Sequence, residues 1–531
     1  MIPHVSPHDL AAALAAPGAA SLAFLDVREA GEYNDAHIPR VTLLPRSQLE
    51  SRLALVVPDH ATAITFVDSD GQRARLAAET AAAMGYTAVA VLDGGIAAWT
   101  AAGHPTEWGS NVLSKDFGEK VQVQQQVAEV LPDELHTWLE RGDNLILLDS
   151  RTPEEHAREC IPGARNVPGG ELPLRITDLV AENPTATVVV HCAGRTRSII
   201  GARALQRMGI PRVFALRNGT AGWALAGYTI ERGSQRTDLP TPSTAAALAA
   251  DRFSRAVALE DDVRMVDVAW LQQRIARGGN LYLIDVRTQQ EYEAGHVPGF
   301  QWVPGGQAVQ RSEDVVGVPA GDIVFCCDAT ARAAVAGGWY RQMGYTEAFA
   351  LEGGLTAWRA AGLAVEAGPM PVTVFGLDEA RSLAPGVSAA SLAEDVARSP
   401  APVILHVGSS REYEREHVPA AIWLPRGLLE QRVRDIAPNE QQSIVCTCTD
   451  GVQSALAAAT LRTLGYARAT YLVDGMVGWK AAAGVVATGP ERMASPANDV
   501  VRTGTERDAA AMRHYLEWEE ELGRKYAQQG Q

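Results

Sequence analysis

The pentapeptide Gly95-Ile96-Ala97-Ala98-Trp99 is one of four copies of a Gly-x-x-x-Trp pattern that sets the organisation of this chain. The other copies are Gly219-Thr220-Ala221-Gly222-Trp223, Gly354-Leu355-Thr356-Ala357-Trp358 and Gly475-Met476-Val477-Gly478-Trp479. The tryptophans are 124, 135 and 121 residues apart. This period is too long for a solenoid repeat and matches a domain. At roughly 100–150 residues per domain, a chain of 531 residues is expected to hold about four.

A second set of motifs opens each repeat. The first repeat reads Phe24-Leu25-Asp26-Val27-Arg28, Glu32-Tyr33 and His37-Ile38-Pro39, and the third reads Ile284-Asp285-Val286-Arg287, Glu291-Tyr292 and His296-Val297-Pro298. The second repeat has Asp149-Ser150-Arg151 and Glu155, but Cys160 takes the place of the histidine. The fourth has Glu412-Tyr413 and His417-Val418-Pro419, with His406-Val407-Gly408 instead of Asp-x-Arg. We interpret the Asp-x-Arg pairs and the three histidines as structural.

Short apolar runs alternate with helical stretches inside each repeat. Leu145-Ile146-Leu147-Leu148 and Thr187-Val188-Val189-Val190 are typical of buried strands, and Ile199 to Met208 has helical spacing. This alternation predicts an α/β fold of four tandem domains, each a parallel sheet with helices on both faces. The expected domains are 1–115, 125–235, 255–368 and 372–488, followed by a helical tail at 489–531. Linkers are expected near residues 115–125, 233–255 and 368–375.

Composition excludes several classes of function. The net charge of −16 argues against a general nucleic-acid partner. No apolar run has the roughly 18–20 residues of a membrane helix, and nothing before the first apolar stretch resembles a secretory signal. The six cysteines are too few for a disulfide scaffold, which favours a reducing, cytoplasmic location. No cofactor or metal is implied, because the Cys446-Thr447-Cys448 pair lacks further ligands.

The second repeat carries the strongest chemical signal. A predicted strand ends at His191 and is followed by Cys192-Ala193-Gly194-Arg195-Thr196-Arg197-Ser198, which leads into a helix. Ligands collect at the carboxyl ends of parallel strands, and a helix N-terminus favours an anion there. A cysteine at this place, beside two arginines, is expected to exist largely as the nucleophilic thiolate. Cys192 is therefore the candidate nucleophile.

Together these motifs resemble the rhodanese family over roughly residues 5–485. The resemblance implies a sulfurtransferase in which the loop thiolate takes the sulfane sulfur of thiosulfate or a similar anionic donor. The resulting persulfide then passes sulfur to cyanide, a thiol or a sulfur-accepting protein. On this reading Cys192 carries the sulfur, the amides of residues 193–198 stabilise its charge, and Arg195 and Arg197 bind the donor. The basic loop favours thiosulfate as the donor.

The other three repeats depart from this loop. Asp68 stands in the cysteine position of the first repeat, so that domain is expected to be inactive as a transferase. Cys327, followed by Asp328 and by Arg332 five positions on, is a possible additional nucleophile in the third. Cys448 is another in the fourth, although Gln453 replaces the arginine. Cys326 and Cys446 are expected to be core residues.

Two rival functions remain open. A phosphatase or arsenate reductase is disfavoured because such sites place the cysteine six positions before the arginine, whereas Cys192 and Arg197 are five apart. A persulfide relay or redox-sensing scaffold without turnover would account for the degenerate repeats. The tail has an amphipathic stripe of Met512, Tyr515, Leu516 and Leu522. The stripe predicts a helix packed on the fourth domain or on a partner subunit, with a regulatory tail as the alternative.

Overall fold

The chain forms four α/β domains, one per repeat, in the computed structural model, which describes residues 2–529. Met1, Gly530 and Gln531, which the expected first domain and tail include, lie outside the described residues. The domains group into two compact units. Unit 1 contains residues 2–110 and 372–501, which are the first and fourth domains. Unit 2 contains residues 111–371 and 502–529, which are the second and third domains with the C-terminal segment.

The first two domains have matching elements. The first contains β1 (His4–Val5), α1 (Pro7–Ala15), β2 (Ala23–Asp26), α2 (Ala30–Asp35), β3 (Thr42–Leu43), α3 (Leu49–Val56), β4 (Ile64–Val67), α4 (Gln72–Ala83), β5 (Val89–Leu92) and α5 (Gly95–Ala101). After α6 (Val112–Gln124), the second contains β6 (Glu129–Val130), α7 (Pro132–Glu140), β7 (Leu145–Asp149), α8 (Pro153–Arg158), β8 (Arg165–Asn166), α9 (Leu172–Glu182), β9 (Thr187–His191), α10 (Thr196–Arg207), β10 (Val213–Leu216) and α11 (Gly219–Leu225).

The last two domains repeat the pattern. After α12 (Thr244–Glu260), the third contains β11 (Arg264–Val266), α13 (Val268–Arg277), β12 (Leu281–Asp285), α14 (Gln289–Ala294), β13 (Gln301–Trp302), α15 (Gly305–Gln310), α16 (Ser312–Val315), β14 (Asp322–Cys326), α17 (Ala331–Met343), β15 (Ala348–Leu351) and α18 (Gly354–Ala360). After α19 (Leu377–Leu383), the fourth contains β16 (Gly386–Val387), α20 (Ala389–Val396), β17 (Val403–His406), α21 (Ser410–Arg415), β18 (Ile422–Trp423), α22 (Leu429–Ile436), β19 (Ile444–Thr447), α23 (Val452–Thr463), β20 (Ala469–Leu472) and α24 (Gly475–Ala481). Helix α25 (Ala509–Gln529) ends the described chain, and single 3-10 turns lie at Ala19–Ser21, Arg46–Gln48, Arg426–Leu428 and Gly504–Glu506.

Each domain has a five-stranded parallel sheet with the same strand order. In the second domain the order is β6-β10-β9-β7-β8, and the other three sheets repeat it. The register pairs Asp149 of β7 with His191 of β9. The central strand of every sheet is therefore the one that leads into the candidate loop. The predicted strands at 145–148 and 187–190 and the helix at 199–208 are confirmed.

Helices cover both faces of each sheet, as the continuous apolar runs predict. In the fourth domain, Leu405 and Cys446 point into one apolar cluster. Their neighbours Ile404 and Val445 point into a second cluster on the opposite face. Successive strand residues alternate between faces, so a strand buried on both sides must be apolar throughout.

Within each unit the two domains are joined by close backbone contacts and ion pairs. In unit 2, a Cβ at Gly170 would lie only 2.9 Å from the Cα of Gly305, and Arg332 pairs with Glu171 at 2.6 Å. In unit 1, Arg46 pairs with Glu430 at 2.7 Å. Small residues let the two backbones approach, and charged side chains surround that approach.

The segments near 115–125 and 233–255, where domain boundaries are expected, are helical rather than extended. They contain α6 and α12, whose apolar residues Phe117, Val121, Phe253 and Val257 are buried. The C-terminal helix, expected against the fourth domain or another subunit, packs instead on α6 and α11 of unit 2.

Candidate active site

The four candidate loops occupy equivalent positions. Asp68, Cys192, Cys327 and Cys448 each come directly after the central strand of their sheet. The next helix begins four residues later in every case, at Gln72, Thr196, Ala331 and Val452. Each of these residues thus lies at the carboxyl end of a parallel strand and beside a helix N-terminus, where anions bind.

The Cys192 loop, defined here as residues 192–195, is held by the first turn of α11. The N–H groups of Thr220 and Ala221 donate to the carbonyls of Cys192 and Ala193, at 2.9 and 3.0 Å. Gly219 has a φ of +50°, and a Cβ there would overlap the Cys192 carbonyl oxygen. The glycine of each Gly-x-x-x-Trp motif makes the same approach to its own loop. The motif therefore fixes the loop that carries the candidate nucleophile.

The Cys192 thiol is buried at the base of this loop. Its side chain donates to the hydroxyl oxygen of Ser198 at 3.6 Å, and Ser198 donates to the Arg195 carbonyl at 2.7 Å. Thr196 is the first residue of α10 and is also buried. Ser198 is therefore a contact of the Cys192 sulfur, and Ala193 and Gly194 follow the cysteine directly in the loop.

Arg195 of the loop and Arg197 of α10 both form ion pairs with carboxylates. Arg195 donates to Glu119 of α6 at 2.5 and 2.9 Å and lies 3.1 Å from Glu129. Burial raises the pKa of Glu119 to about 7 although Arg195 opposes that shift. Arg197 binds both oxygens of Glu155, at 2.7 and 2.8 Å. Burial acts to lower the pKa of Arg197, but the Glu155 carboxylate and the Cys192 sulfur more than offset this and raise it.

The ion pair between Arg197 and Glu155 has counterparts in two other domains. Arg73 binds Glu32 in the first domain and Arg332 binds Glu291 in the third, with shortest distances of 2.6 and 2.7 Å. The first domain has no loop cysteine, so this ion pair does not depend on a thiol. It ties the start of the helix after the loop to the helix that follows the Asp-x-Arg motif.

The first domain shows what its loop can bind. The Asp68 carboxylate accepts N–H bonds from Gly71 at 2.5 Å, Arg73 at 2.6 Å and Ala74 at 3.1 Å. A carboxylate of the chain therefore fills the ring of amides that the loop and helix form. This arrangement is an anion site, and in the first domain it is permanently occupied.

Cys327 and Cys448 differ in the charge around them. Burial, followed by the neighbouring Asp328, raises the pKa of Cys327 to about 12. Burial also raises the pKa of Cys448, and Asp450 adds to the effect. Cys448 nevertheless accepts N–H bonds from Gly451 at 3.2 Å and Ser454 at 3.4 Å, so its sulfur sits in an amide ring. Cys326 and Cys446 lie in core clusters.

The recurrent histidines and Asp-x-Arg pairs have structural contacts. His37, His296 and His417 each stack on a tyrosine four residues earlier, with ring centroids 3.8–3.9 Å apart. Arg151 binds Asp149 through two nitrogens at 2.8–3.2 Å, and Arg28 and Arg287 bind Asp26 and Asp285 in the same way. These groups anchor the strand-to-helix connection.

The C-terminal helix is a part of the site that the sequence did not reveal. A Cβ at Gly194 would lie 2.9 Å from Oε2 of Glu519 and 3.4 Å from Cε1 of Tyr515. Tyr515 donates to Oε1 of Glu519 at 2.7 Å. Lys115 of α6 lies 5.0 Å from the Tyr515 ring centroid, and burial lowers the pKa of Lys115 to about 8. The amphipathic stripe indicates that α25 packs on something, but it carries no information about which domain.

Three further properties concern the cysteines, membrane spans and metal ligands. All six cysteines are buried and free of disulfides. Between residues 2 and 529, no helix is long and apolar enough to cross a membrane. Over the same stretch, no cluster of three or more His, Cys, Asp or Glu side chains is arranged to hold a metal ion.

Comparison with known proteins agrees with this fold. The model of the rhodanese-like domain matches residues 6–102, 131–226, 267–361 and 388–482. The structure of a thiosulfate sulfurtransferase from Pseudomonas aeruginosa is 35% identical, covers 100% of this chain and 98% of its own, and superposes with a TM-score of 0.89. A sulfurtransferase of Allochromatium vinosum is 32% identical over 104 residues, which are 20% of this chain and 94% of that protein.

The class that the fold and the loop define is thus the sulfurtransferases. The chain belongs to the rhodanese-like domain family and contains four copies of the domain. It acts on a sulfur donor and a sulfur acceptor.

Proposed function

We propose that the second domain is the active one and that Cys192 carries the transferred sulfur as a persulfide. One observation carries this proposal. Among the four loops of the described chain, only residues 192–195 begin with a cysteine, contain no acidic residue and are followed by an arginine five positions after the cysteine, Arg197. Asp70, Asp328 and Asp450 put negative charge in the other three. Such charge repels an anionic donor and disfavours a thiolate.

Thiosulfate is the proposed donor. The Cys192 thiolate attacks the outer sulfur, a Cys–S bond forms, and the S–S bond of thiosulfate breaks to release sulfite with the electron pair. The persulfide then carries one negative charge on its outer sulfur. The amides of residues 193–198 are proposed to stabilise that charge, as the amides around Asp68 stabilise a carboxylate. Arg195 and Arg197 add positive potential, which Glu119 and Glu155 partly offset.

Cyanide or a thiol is the proposed acceptor. The nucleophile attacks the outer sulfur of the persulfide, and Cys192 leaves as the thiolate, ready for another donor. With cyanide the product is thiocyanate. Cys327 and Cys448 remain possible additional carriers, of which Cys448 has the more suitable amide contacts.

The test is a thiosulfate:cyanide assay of the full chain and of three matched serine variants. We expect thiocyanate formation to fall to the background in Cys192→Ser and to persist in Cys327→Ser and Cys448→Ser. Activity that survives in Cys192→Ser would overturn the assignment. If the wild type does not turn over but gains one sulfur atom on Cys192 by mass spectrometry, the protein is a persulfide relay.

A further inference from the structure

The Cys192 loop differs from its three counterparts because other parts of the chain pack over it and bury it. Gly194, two residues after the cysteine position, is buried. The equivalent residues Asp70, Ala329 and Asp450 are all exposed. The loops share one fold and one spacing, so the difference comes from what packs on them. In the second domain that is α25 with the turn before it.

Three side chains of α25 lie over the loop. Glu519, Tyr515 and Leu516 contribute the atoms nearest to a Cβ at Gly194, at 2.9, 3.4 and 3.8 Å. Glu519 is 2% exposed, and its Oε2 atom, which faces the loop, has no hydrogen-bond partner in the described structure. Before the helix, a Cβ at Gly504 would lie 3.8 Å from the Ala193 Cβ.

Helix α25 contacts structural elements on both sides of the loop. Leu516 and Met512 pack against Ala221 of α11, the helix that holds the Cys192 carbonyl. Glu520 pairs with Arg217 at 2.9 Å, just before that helix. At the other end, Lys525 pairs with Asp116 of α6 at 2.5 Å. Helix α25 is thus attached by apolar contacts in its N-terminal half and by ion pairs in its C-terminal half.

The electrostatics of Tyr515 are consistent with its position over the loop. Burial and the Glu519 carboxylate raise the pKa of Tyr515 well above its ordinary value. Any acceptor of the sulfur must fit between α25 and the Cys192 loop.

We infer that α25 restricts the sulfur acceptor at Cys192 to small molecules, with Tyr515 and Glu519 as specificity-determining residues. The inference rests on the proposed Cys192 persulfide. A thiolate acceptor must reach the outer sulfur, form an S–S bond with it and displace the Cys192 thiolate. A small thiol brings few other atoms to that point. A thiol on a folded protein brings its own surface, which would collide with α25.

The experiment compares two acceptors on protein first loaded with thiosulfate. One acceptor is glutathione, and the other is a folded protein with a single exposed cysteine and a similar thiol pKa. Loss of the sulfur from Cys192 is followed by mass spectrometry of the peptide. We expect transfer from the wild type to glutathione to be at least about tenfold faster than transfer to the protein thiol.

Two variants are designed to remove α25 from the Cys192 loop. One ends the chain after Val501, and the other is Leu516→Asp, which puts a charge into the apolar contact with Ala221. Both are expected to accelerate transfer to the protein thiol at least about tenfold and to change transfer to glutathione much less. Glu517→Ala, at an exposed position of the same helix, is the matched control and should behave as the wild type.

The outcomes separate the two proposals. If Cys192 gains no sulfur from thiosulfate in any variant, the proposed function fails. If Cys192 is loaded but the wild type serves the protein thiol as fast as glutathione, the inference about α25 is overturned. A ratio of rates that stays the same in both the truncated and the Leu516→Asp variant would overturn it as well.

Discussion

At the scale of single residues, Arg197 has two possible contributions that can be separated. It binds Glu155 with both nitrogens, as its counterparts bind theirs in the first and third domains. It also lies in the field of Cys192. The first contribution stabilises the fold, and the second would serve catalysis. The fourth domain has Gln453 at this position and keeps the same fold, so glutamine is a suitable replacement.

We expect Arg197→Gln to lower the free energy of unfolding of unit 2 by about 1–3 kcal/mol, because the half-buried Glu155 carboxylate loses its charged partner. Urea denaturation measures this. Persulfide formation from thiosulfate should slow by about tenfold, since a positive charge near the sulfur is lost. The double variant Arg197→Gln, Glu155→Gln should recover stability but not rate. Recovery of both would show that Arg197 acts only through the fold.

The same pair gives a pH dependence with a definite sign. Burial acts to raise the pKa of Glu155, but Arg197 outweighs it and lowers that pKa to about 2. A carboxyl whose pKa is lower in the folded state stabilises the fold above its ordinary pKa. That contribution is lost as the pH falls from about 4.5 towards 2. Acid titration of wild type and double variant should therefore diverge in this interval.

Much of the site was predictable at this scale. Short motifs locate Cys192 and the glutamate of the opening motif. They also show that Asp68 replaces the cysteine in the first repeat. Glu119 could not be found in this way, because its partner Arg195 lies 76 residues further along the chain. Contacts between distant residues depend on packing, which local patterns do not specify.

At the scale of elements, α25 is the feature that sequence patterns left unplaced. Its stripe of Met512, Tyr515 and Leu516 correctly indicates an apolar contact. The surface that receives it consists of Ala221, Leu225 and residues of α6, a helix in a segment expected to be a linker. An amphipathic helix specifies that it packs but not where it packs.

The attachment of α25 can be measured without sulfur chemistry. We expect Leu516→Ala to weaken docking of the helix by about 2–5 kcal/mol, because Leu516 is almost fully buried. Amide hydrogen exchange within residues 509–529 should accelerate by at least about tenfold, with β7 and β9 unchanged. Glu517→Ala should leave the exchange as in the wild type. Equal exchange in both variants would mean that α25 is held by its ion pairs alone.

At the scale of the whole molecule, the repeat pattern predicts four domains but not their grouping. The second and third domains meet at Gly169, Gly170, Gly305 and Gly306. Glycine pairs also occur elsewhere in the chain, as at Gly94 and Gly95, without joining domains. The grouping depends on which surfaces fit together, and the motifs that define the repeats lie mostly around the loops and cores.

The contact between the second and third domains can be probed at adjacent glycines. A Cβ at Gly170 would press on the Gly305 backbone at 2.9 Å, whereas a Cβ at Gly169 would have no neighbour closer than 3.7 Å. We expect Gly170→Ala to destabilise unit 2 by about 1–3 kcal/mol in urea denaturation and Gly169→Ala to have little effect. Equal effects of the two substitutions would contradict this description of the contact.

The division of unit 1 between the two ends of the chain has a consequence for synthesis on the ribosome. Residues 2–110 leave the ribosome first, and their partner, residues 372–501, follows only after all of residues 111–371. At about 5–20 residues per second, this delay lasts roughly 15–50 seconds. Arg46 and Glu50, which later pair with Glu430 and Arg426, are charged and tolerate water during that time. The charged part of this contact surface can thus stay hydrated until residues 372–501 are synthesised.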